Sequence, residues 1–493
     1  MKKELSKQLL LVIGLSLSGM AGAAAQQQGG GSDGTWSLEE AVNYARENNL
    51  QVRQSRLNNS VNQVDLNQLK FDRLPSINAG GSYNYNTGSF QDPVTFNLVT
   101  QDAQTGSFQL SASVPLFAGF QQVNQIKQSE LDLQASQQDV LSAQNDITMQ
   151  LVTAYLNILF ADELTKISEQ TRDLTRQQLE RTRILFDAGS VAENAVLDLE
   201  SQLAADELEL INAQNQHDIA RLSLMQLLNL PTTEDFQIEV PEIPEPDQNP
   251  VLVNGEQVYD VAAQTLPAIK AADLRVLSAA KALEVAKGGY YPRLSLNAGL
   301  FSRYSSTSQF LVGRQTVNEG LQRRELGFYD EGGNDAVVIY VPNIYEVPMY
   351  GDYPFFDQLQ DNINKQVGLS LQVPILNGLQ VRSSVQRAKL QQQNAKINAD
   401  IARNNLRQTI EQAYVDALAA QRRYAAAKEQ LRAAEKNYSN AQLRLNSGVI
   451  NTVDFNIVAN NYRAAQSNLA QAKYEYTFKL KVLDFYQGKD ISL

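Results

Sequence analysis

His217 is the only histidine in the 493 residues, and there is no cysteine. A histidine-dependent triad or a multi-histidine metal site therefore lacks its parts, and disulfides are excluded. His217 lies in a polar helical stretch, AQNQHDIARL, where a solvated surface position is the expected role. No glycine-rich phosphate loop follows a strand pattern. The many Asp and Glu residues on helical stretches read as solvated faces and i,i+4 partners of Lys and Arg. One acidic residue stands apart. Asp454 lies in an Asn-rich turn with Asn451, Asn456 and Asn460, shortly after Gly448. Taken alone, its carboxylate is a favourable charge in the first turn of a helix. If copies of the chain meet about an axis, it becomes part of a ring of carboxylates, which favours cations. These residues point to no enzyme, no cofactor and no metal.

The elements that must position that turn are built twice. From Ser107 to Leu116, Phe108, Leu110, Ala112, Val114 and Leu116 alternate with Ser107, Gln109, Ser111 and Ser113, the period of a strand with one apolar side. Pro115 and Gly119 break the pattern. Then 69 residues, Phe120 to Ala188, contain neither proline nor glycine, and Ile126, Leu133, Val140 and Ile147 recur every seven positions. This spacing predicts a coiled-coil-like helix on the order of 100 Å long at about 1.5 Å per residue, stopped by Gly189. Pro374 and Gly378 stand 259 positions after Pro115 and Gly119, a second 69-residue run spans Leu379 to Ser447, and Gly448 matches Gly189. The chain is an internal duplication.

Each repeat carries a second alternating segment, so the expected strands are 76–86, 107–116, 293–301 and 366–374. Their apolar or aromatic faces oppose faces of Ser, Asn, Gln and Gly. Their length suits a tilted crossing of a bilayer. A proline marks every junction of strand and helix: Pro75, Pro115, Pro292 and Pro374. Ser37 and Glu40 form a capping box for a first helix. Residues 302–364 read as a long connection rich in Tyr and Phe, partly ordered as a plug or a surface cap. Residues 231–252 form an acidic, Pro-rich linker between a first repeat at 26–230 and a second at 253–493. At the start, three lysines precede an apolar run and Ala23-Ala24-Ala25, which predicts a signal peptide over residues 1–25. Its removal would take the net charge from −12 to −14, since three Lys and one Glu leave with it. Such a balance argues against nucleic acid as a partner. No later run reaches the ~18 apolar residues of a spanning helix, so a membrane would have to be crossed by strands.

Four strands cannot close a barrel, for which about eight is the minimum, and edges cannot be left bare in lipid. The chain therefore has to assemble around an axis. In this it resembles the TolC family of outer-membrane efflux ducts over nearly the whole mature chain. The resemblance is carried by Leu74-Pro75 and Tyr291-Pro292, by VPLFAG at 114–119 and VPILNG at 373–378, and by the turns FDAGSVAENAVLDLESQLA from Phe186 and LNSGVINTVDFNIVANN from Leu445. AKYEYTFKLKVLDFYQG, from Ala472 to Gly488, completes it.

The resemblance implies a mainly α fold with a β-barrel portion. A homotrimer would form a 12-stranded β-barrel among the lipids of a Gram-negative outer membrane, continued through the periplasm by an α-barrel of 12 helices. The implied function is a passive exit duct of a tripartite efflux or type I secretion system. Pro75, Pro115, Pro292 and Pro374 would mark the barrel-to-helix junctions. Gly189, Ser190, Val191, Gly448, Val449 and Ile450 would be the tips, meeting a periplasmic adaptor (membrane fusion) protein and an inner-membrane transporter of RND, ABC or MFS type. Asp454, with Asn451, would line the pore constriction. Three positions depart from the family pattern. Ile457 stands where a second acidic ring is found, Ile450 replaces a basic link residue, and Ala195 replaces its acidic partner.

Two other readings use the same residues. A tether or adhesin with coiled-coil arms would not need polar strand faces or proline-marked junctions, and its heptads would be sustained. A stand-alone porin would not need hairpins this long. Neither the cargo nor the transporter class is written in the sequence.

Overall fold

The computed structural model describes residues 35–231, 236–241, 254–328 and 336–489. The expected signal peptide, the leader to residue 34 and most of the acidic linker lie outside them. Contacts divide the chain into two units, one of residues 1–57, 138–269 and 402–493, the other of residues 58–137 and 270–401.

In the first unit, the chain enters as strand β1 (Thr35–Trp36) and is capped into helix α1 (Leu38–Asn48) by Ser37. Ser37 accepts from the Glu40 N–H at 3.2 Å, and the Glu40 carboxylate accepts from the Ser37 N–H at 3.1 Å, the reciprocal box the sequence predicts. Helix α2 (Leu50–Phe71) follows after a single break at Asn49. This unit also takes most of the long helix α3 (Gln121–Asp187), all of α4 (Glu193–Leu228), strand β6 (Gln237–Ile238) and α5 (Gly255–Thr265). β6 is the one described strand of the linker, and it pairs in parallel with β1. Trp36, Phe236, Tyr155, Leu151, Leu224 and Leu228 form the core beneath that pair. The Tyr155 hydroxyl donates to the carbonyls of Glu239 and Trp36, which satisfies its one polar atom. Burial, with the nearby carboxylates of Glu239 and Glu40, pushes that hydroxyl well above the ordinary tyrosine range.

The second unit holds the main sheet, made from β2 (Ser76–Asn86), β5 (Ala103–Ala118), β7 (Arg293–Ser305) and β10 (Asn364–Gln372). Its order is β10–β7–β5–β2, antiparallel throughout. Ile77, Tyr83, Tyr85, Leu110, Val367, Leu369 and Leu371 are exposed on it. An apolar sheet face left to the surroundings fits lipid and not water. The repeat is visible in the helices too. α6 (Pro267–Gly288) has 22 residues, as α2 does, and α8 (Gln380–Asn446) has 67, as α3 does. Helix α9 (Thr452–Tyr486) closes the second hairpin.

Two expectations are corrected. Residues 302–364, expected as a partly ordered connection, carry regular strands. β8 (Gln309–Phe328) and β9 (Ala336–Asp352) pair as a long antiparallel hairpin, followed by α7 (Phe355–Asp361). The connection 87–105 likewise folds a small hairpin of β3 (Ser89–Gln91) and β4 (Leu98–Thr100). Pro115 does not end its strand. β5 runs to Ala118, and its register against β7 shifts between Pro115 and Phe117, a bulge that accommodates a residue without an N–H. β10, in contrast, ends at Gln372, two residues before Pro374. Pro75 and Pro292 each stand immediately before a strand.

Candidate functional site at the hairpin tips and junctions

The two tips share one backbone device. Gly189 and Gly448 have φ of +74° and +72°. Ser190 N–H bonds Leu185 C=O at 2.8 Å and Gly189 N–H bonds Phe186 C=O at 2.7 Å. Val449 bonds Arg444 at 2.9 Å and Gly448 bonds Leu445 at 3.0 Å in the same way. This pair of bonds is the Schellman motif, which needs a left-handed residue where glycine is cheapest. A Cβ on either glycine would meet nothing within 4 Å, so the requirement is set by backbone conformation and not by space.

Beyond the glycines the tips differ. Asn451 caps α9, accepting from the Asp454 N–H at 2.8 Å, whereas Ala192 caps α4 with no side-chain bond. The amide of Asn451 is thus engaged as a cap, and the exposed Asp454 carboxylate stands in the first turn. Val449 is 64 % exposed and Ser190 is exposed. Ile450 and Val191 are half-buried, Ile450 against a cluster of Phe455, Ala441 and Ala459. Tyr438 stacks beneath it on Tyr462 at 4.9 Å. Ile457 is exposed. Ala195 is half-buried.

A charged tie lies up the hairpins that the sequence reading missed. Asp206 of α4 has a side chain only 5 % exposed. It accepts from Thr175 Oγ1 of α3 at 2.6 Å, from Gln202 Nε2 at 2.8 Å and from Arg463 Nη1 of α9 at 3.0 Å. Three helices are joined through one buried carboxylate, whose lone pairs are largely satisfied. A signal was present. Val196, Leu199, Leu203, Asp206, Leu210 and Ala213 follow a 3-4-3-4-3 spacing, so a charge occupies a seam position and needs a partner. The partner, 257 residues away, could not be named from that spacing. Lys479 of α9 similarly holds Asp416 of α8 at 2.7 Å. That hydrogen bond, with help from Gln412, keeps the Asp416 carboxyl below its ordinary range against the opposing effect of burial.

At the junctions, Gly119 and Phe120 have φ of +60° and +61°, and Gly378 and Leu379 have +59° and +62°. Two successive left-handed residues turn each strand into its long helix. Phe120 packs edge-on against Phe117 at 5.1 Å and Tyr291 at 5.9 Å. His217, expected to be solvated, is half-buried beside Asp218 at 3.7 Å. Among the described residues no group of three metal-ligating side chains converges, and no helix is long and apolar enough to cross a membrane.

Long paired helices, glycine-turned tips and a lipid-compatible sheet define a class of membrane channel. The chain matches the Outer membrane efflux protein family over residues 41–230 and 258–489, and it belongs to that family. It is 23 % identical to "Outer membrane protein TolC" of Escherichia coli (strain K12) over 477 residues, covering 96 % of this chain and 84 % of that protein. It is 21 % identical to "Outer membrane efflux protein BepC" of Brucella suis biovar 1, covering 96 % and 87 %. The outer membrane protein VceC of Vibrio cholerae has the same fold, with a TM-score of 0.68 at 15 % identity over 92 % of this chain and 97 % of that one. The protein is an outer-membrane efflux channel extending into the periplasm of a Gram-negative bacterium, and not an enzyme.

Proposed function

We propose that three copies of this chain form the exit duct of a tripartite efflux or type I secretion system. A 12-stranded barrel, four strands from each copy, crosses the outer membrane, and 12 helices continue it through the periplasm. The observation that carries the reading is a four-stranded sheet with an exposed apolar face, joined to two helices of 67 residues each. Such a sheet has two edges to satisfy in lipid and too few strands to do so alone.

The tips at Gly189, Ser190, Val191, Gly448, Val449 and Ile450 meet a periplasmic adaptor, which links the duct to an inner-membrane transporter of RND, ABC or MFS type. Val449 is the most prominent apolar group offered there. Asp454 supplies the charge of the constriction, with Asn451 fixing the start of its helix. The repeats at 26–230 and 253–493, joined by the linker at 231–252, supply equivalent sixths of the wall. The junction prolines at 75, 115, 292 and 374 set the level at which barrel gives way to helix. The test is gentle cross-linking in native membranes, followed by mass measurement and pull-down. A three-copy mass with an adaptor and a transporter recovered is expected. A monodisperse single chain with its sheet intact removes the reading.

A further inference from the structure

The hairpin of β8 and β9 divides its residues by strand and not by face. In its register Val317 lies opposite Tyr345, Asn318 opposite Ile344 and Arg323 opposite Tyr340. Alternation then puts Val338, Tyr340, Pro342, Ile344 and Pro348 of β9 on one face, and Ile339, Val341, Tyr345, Val347 and Met349 on the other. The two polar residues among them, Asn343 and Glu346, are tied back to β8. Asn343 donates to Glu319 at 2.8 Å, and Arg314 donates to Glu346 at 3.3 Å. β8 is the reverse, with Arg314, Thr316, Asn318 and Arg323 on the first face and Gln315, Gln322 and Arg324 on the second. β9 is thus apolar on both sides, and β8 is largely polar on both.

Such a strand needs cover. Tyr340 is 63 % exposed and Ile344 56 % on the first face, Tyr345 42 % and Met349 45 % on the second. A two-stranded hairpin is marginal in water by itself, and the 17 residues of β9, at roughly 3.3 Å each, run about 55 Å. Edge pairing does not supply the cover. Pro342 and Pro348 lie an even number of residues apart, so both nitrogens point to one edge. Lacking an N–H, they belong on the edge turned away from β8. That edge is short of two donors, which guards it against a further strand. A lipid surface or a single partner sheet would cover one face only. Both faces are covered when each strand has a neighbour on either side, which is what three copies about an axis provide.

We propose that the β9 strands of three copies pack around the common axis, the first face of each against the second face of the next, with the β8 strands outermost in water. The proposal rests on the three-copy reading and adds to it a contact outside the barrel. β7 begins at Arg293 beside Ala118 and Gln372, the end from which the long helices leave, and it ends at Ser305, from which the hairpin springs. The bundle therefore stands at the outward end of the duct, over its opening. Contact is made by side chains, Tyr340 and Ile344 against Val341 and Tyr345 of the next copy. It asks for no hydrogen bond along the guarded edge.

The chain has no cysteine, so introduced thiols report the contact without background. The full-length protein is made with Ile344→Cys and Tyr345→Cys together. As neighbours on one strand they point to opposite faces and do not link within a chain. The bundle sets each beside the other of the next copy, within the Cα separation of about 7 Å that a disulfide tolerates. The comparison is Val317→Cys with Asn318→Cys, at the same level and on the same two faces of β8. Membranes are treated with a mild oxidant and resolved without reducing agent. The β9 pair is expected to give bands of two and three linked copies. The β8 pair is expected to give roughly tenfold less, since its thiols stand beyond the bridging distance. Ile339→Cys with Tyr340→Cys repeats the test without losing the bond from the Tyr345 hydroxyl to Glu319. Equal linking from the β8 and β9 pairs overturns the bundle. So does a three-copy mass in detergent with no link from either β9 pair, the result expected if β9 lies on lipid or against another protein. A single-chain mass overturns the three-copy reading, and the bundle with it.

Discussion

Replacing Arg463 by methionine is expected to destabilise the helical hairpins by about 3 kcal/mol or more, the cost of breaking a buried ion pair from one side. The figure follows from the unequal exposure of the partners. Asp206 is 5 % exposed, and without Arg463 it keeps only the neutral donors Thr175 and Gln202. Methionine retains much of the arginine stem and its packing, so the loss is chiefly the countercharge. The reverse change is cheaper. Arg463 is 18 % exposed and also donates to Asn460 at 3.1 Å, so in Asp206→Leu the guanidinium can turn to water, at a cost of about 1–2 kcal/mol. The double variant replaces both charges by apolar groups and should recover most of the summed loss, giving a coupling of about 3 kcal/mol. The assay is denaturant unfolding of the helical signal for all four proteins, in one detergent and at one protein concentration, since assembly shifts apparent stability. If Arg463→Met lies within about 0.5 kcal/mol of the parent, or the single costs simply add, the three helices are not tied through this carboxylate.

Three further outcomes follow from the geometry. Gly448→Leu places an L side chain at a φ of +72° in open space, costing about 1–2 kcal/mol locally; adaptor recovery in cross-linked pull-downs should be lost while the detergent mass is unchanged. Asp454→Ala, at an exposed position, should weaken cation selectivity and multivalent block in planar bilayers without altering assembly; identical reversal potentials would leave Asp454 only its helix-end role. Asp92, between β3 and β4, is buried, which alone would raise its carboxyl. The Ser305 and Thr307 hydroxyls and the Thr95 and Val94 N–H groups outweigh that and hold it below the ordinary range. Its contribution is therefore complete above the ordinary carboxylate range, about pH 4, and is lost as pH falls through the depressed value. Proteolysis within 87–102 should thus begin only in stronger acid, and in Asp92→Ala at neutral pH.

What could be read from the sequence was whatever the backbone enforces. Gly119, Gly189, Gly378 and Gly448 all take positive φ, and their equal spacing announced both hairpins before any contact was known. The Ser37–Glu40 box was local and equally legible. β8 and β9 were not, because the hairpin is exposed along most of its length and shifts register near Leu311, Asn318 and Glu325. Each shift resets the alternation from which a strand is recognised. β5 outran its expected end because pairing with β7 carries it past Pro115. At the site, the tip glycines were legible, and the cap role of Asn451 was hidden behind its charged neighbour. Asp206 showed that a partner was required without showing which.

The two kinds of strand-to-helix joint are not equally tight. At Gly119 a Cβ would lie 2.4 Å from the Gly288 carbonyl oxygen, and at Gly288 a Cβ would lie 2.6 Å from the Gly119 oxygen. Both chain segments touch backbone to backbone, which only a pair of glycines permits. The duplicate of Gly288, 217 positions earlier, is Phe71, and Gly378 has open space around it. If three copies close as proposed, the ring beneath the barrel would be a hexagon with alternating corners. Three would be glycine clasps inside a chain, and three would set Phe71 against Gly378 across copies and stand wider. Dilation of the ring would fall on those three wider corners, leaving each chain's own clasp to move as a rigid block.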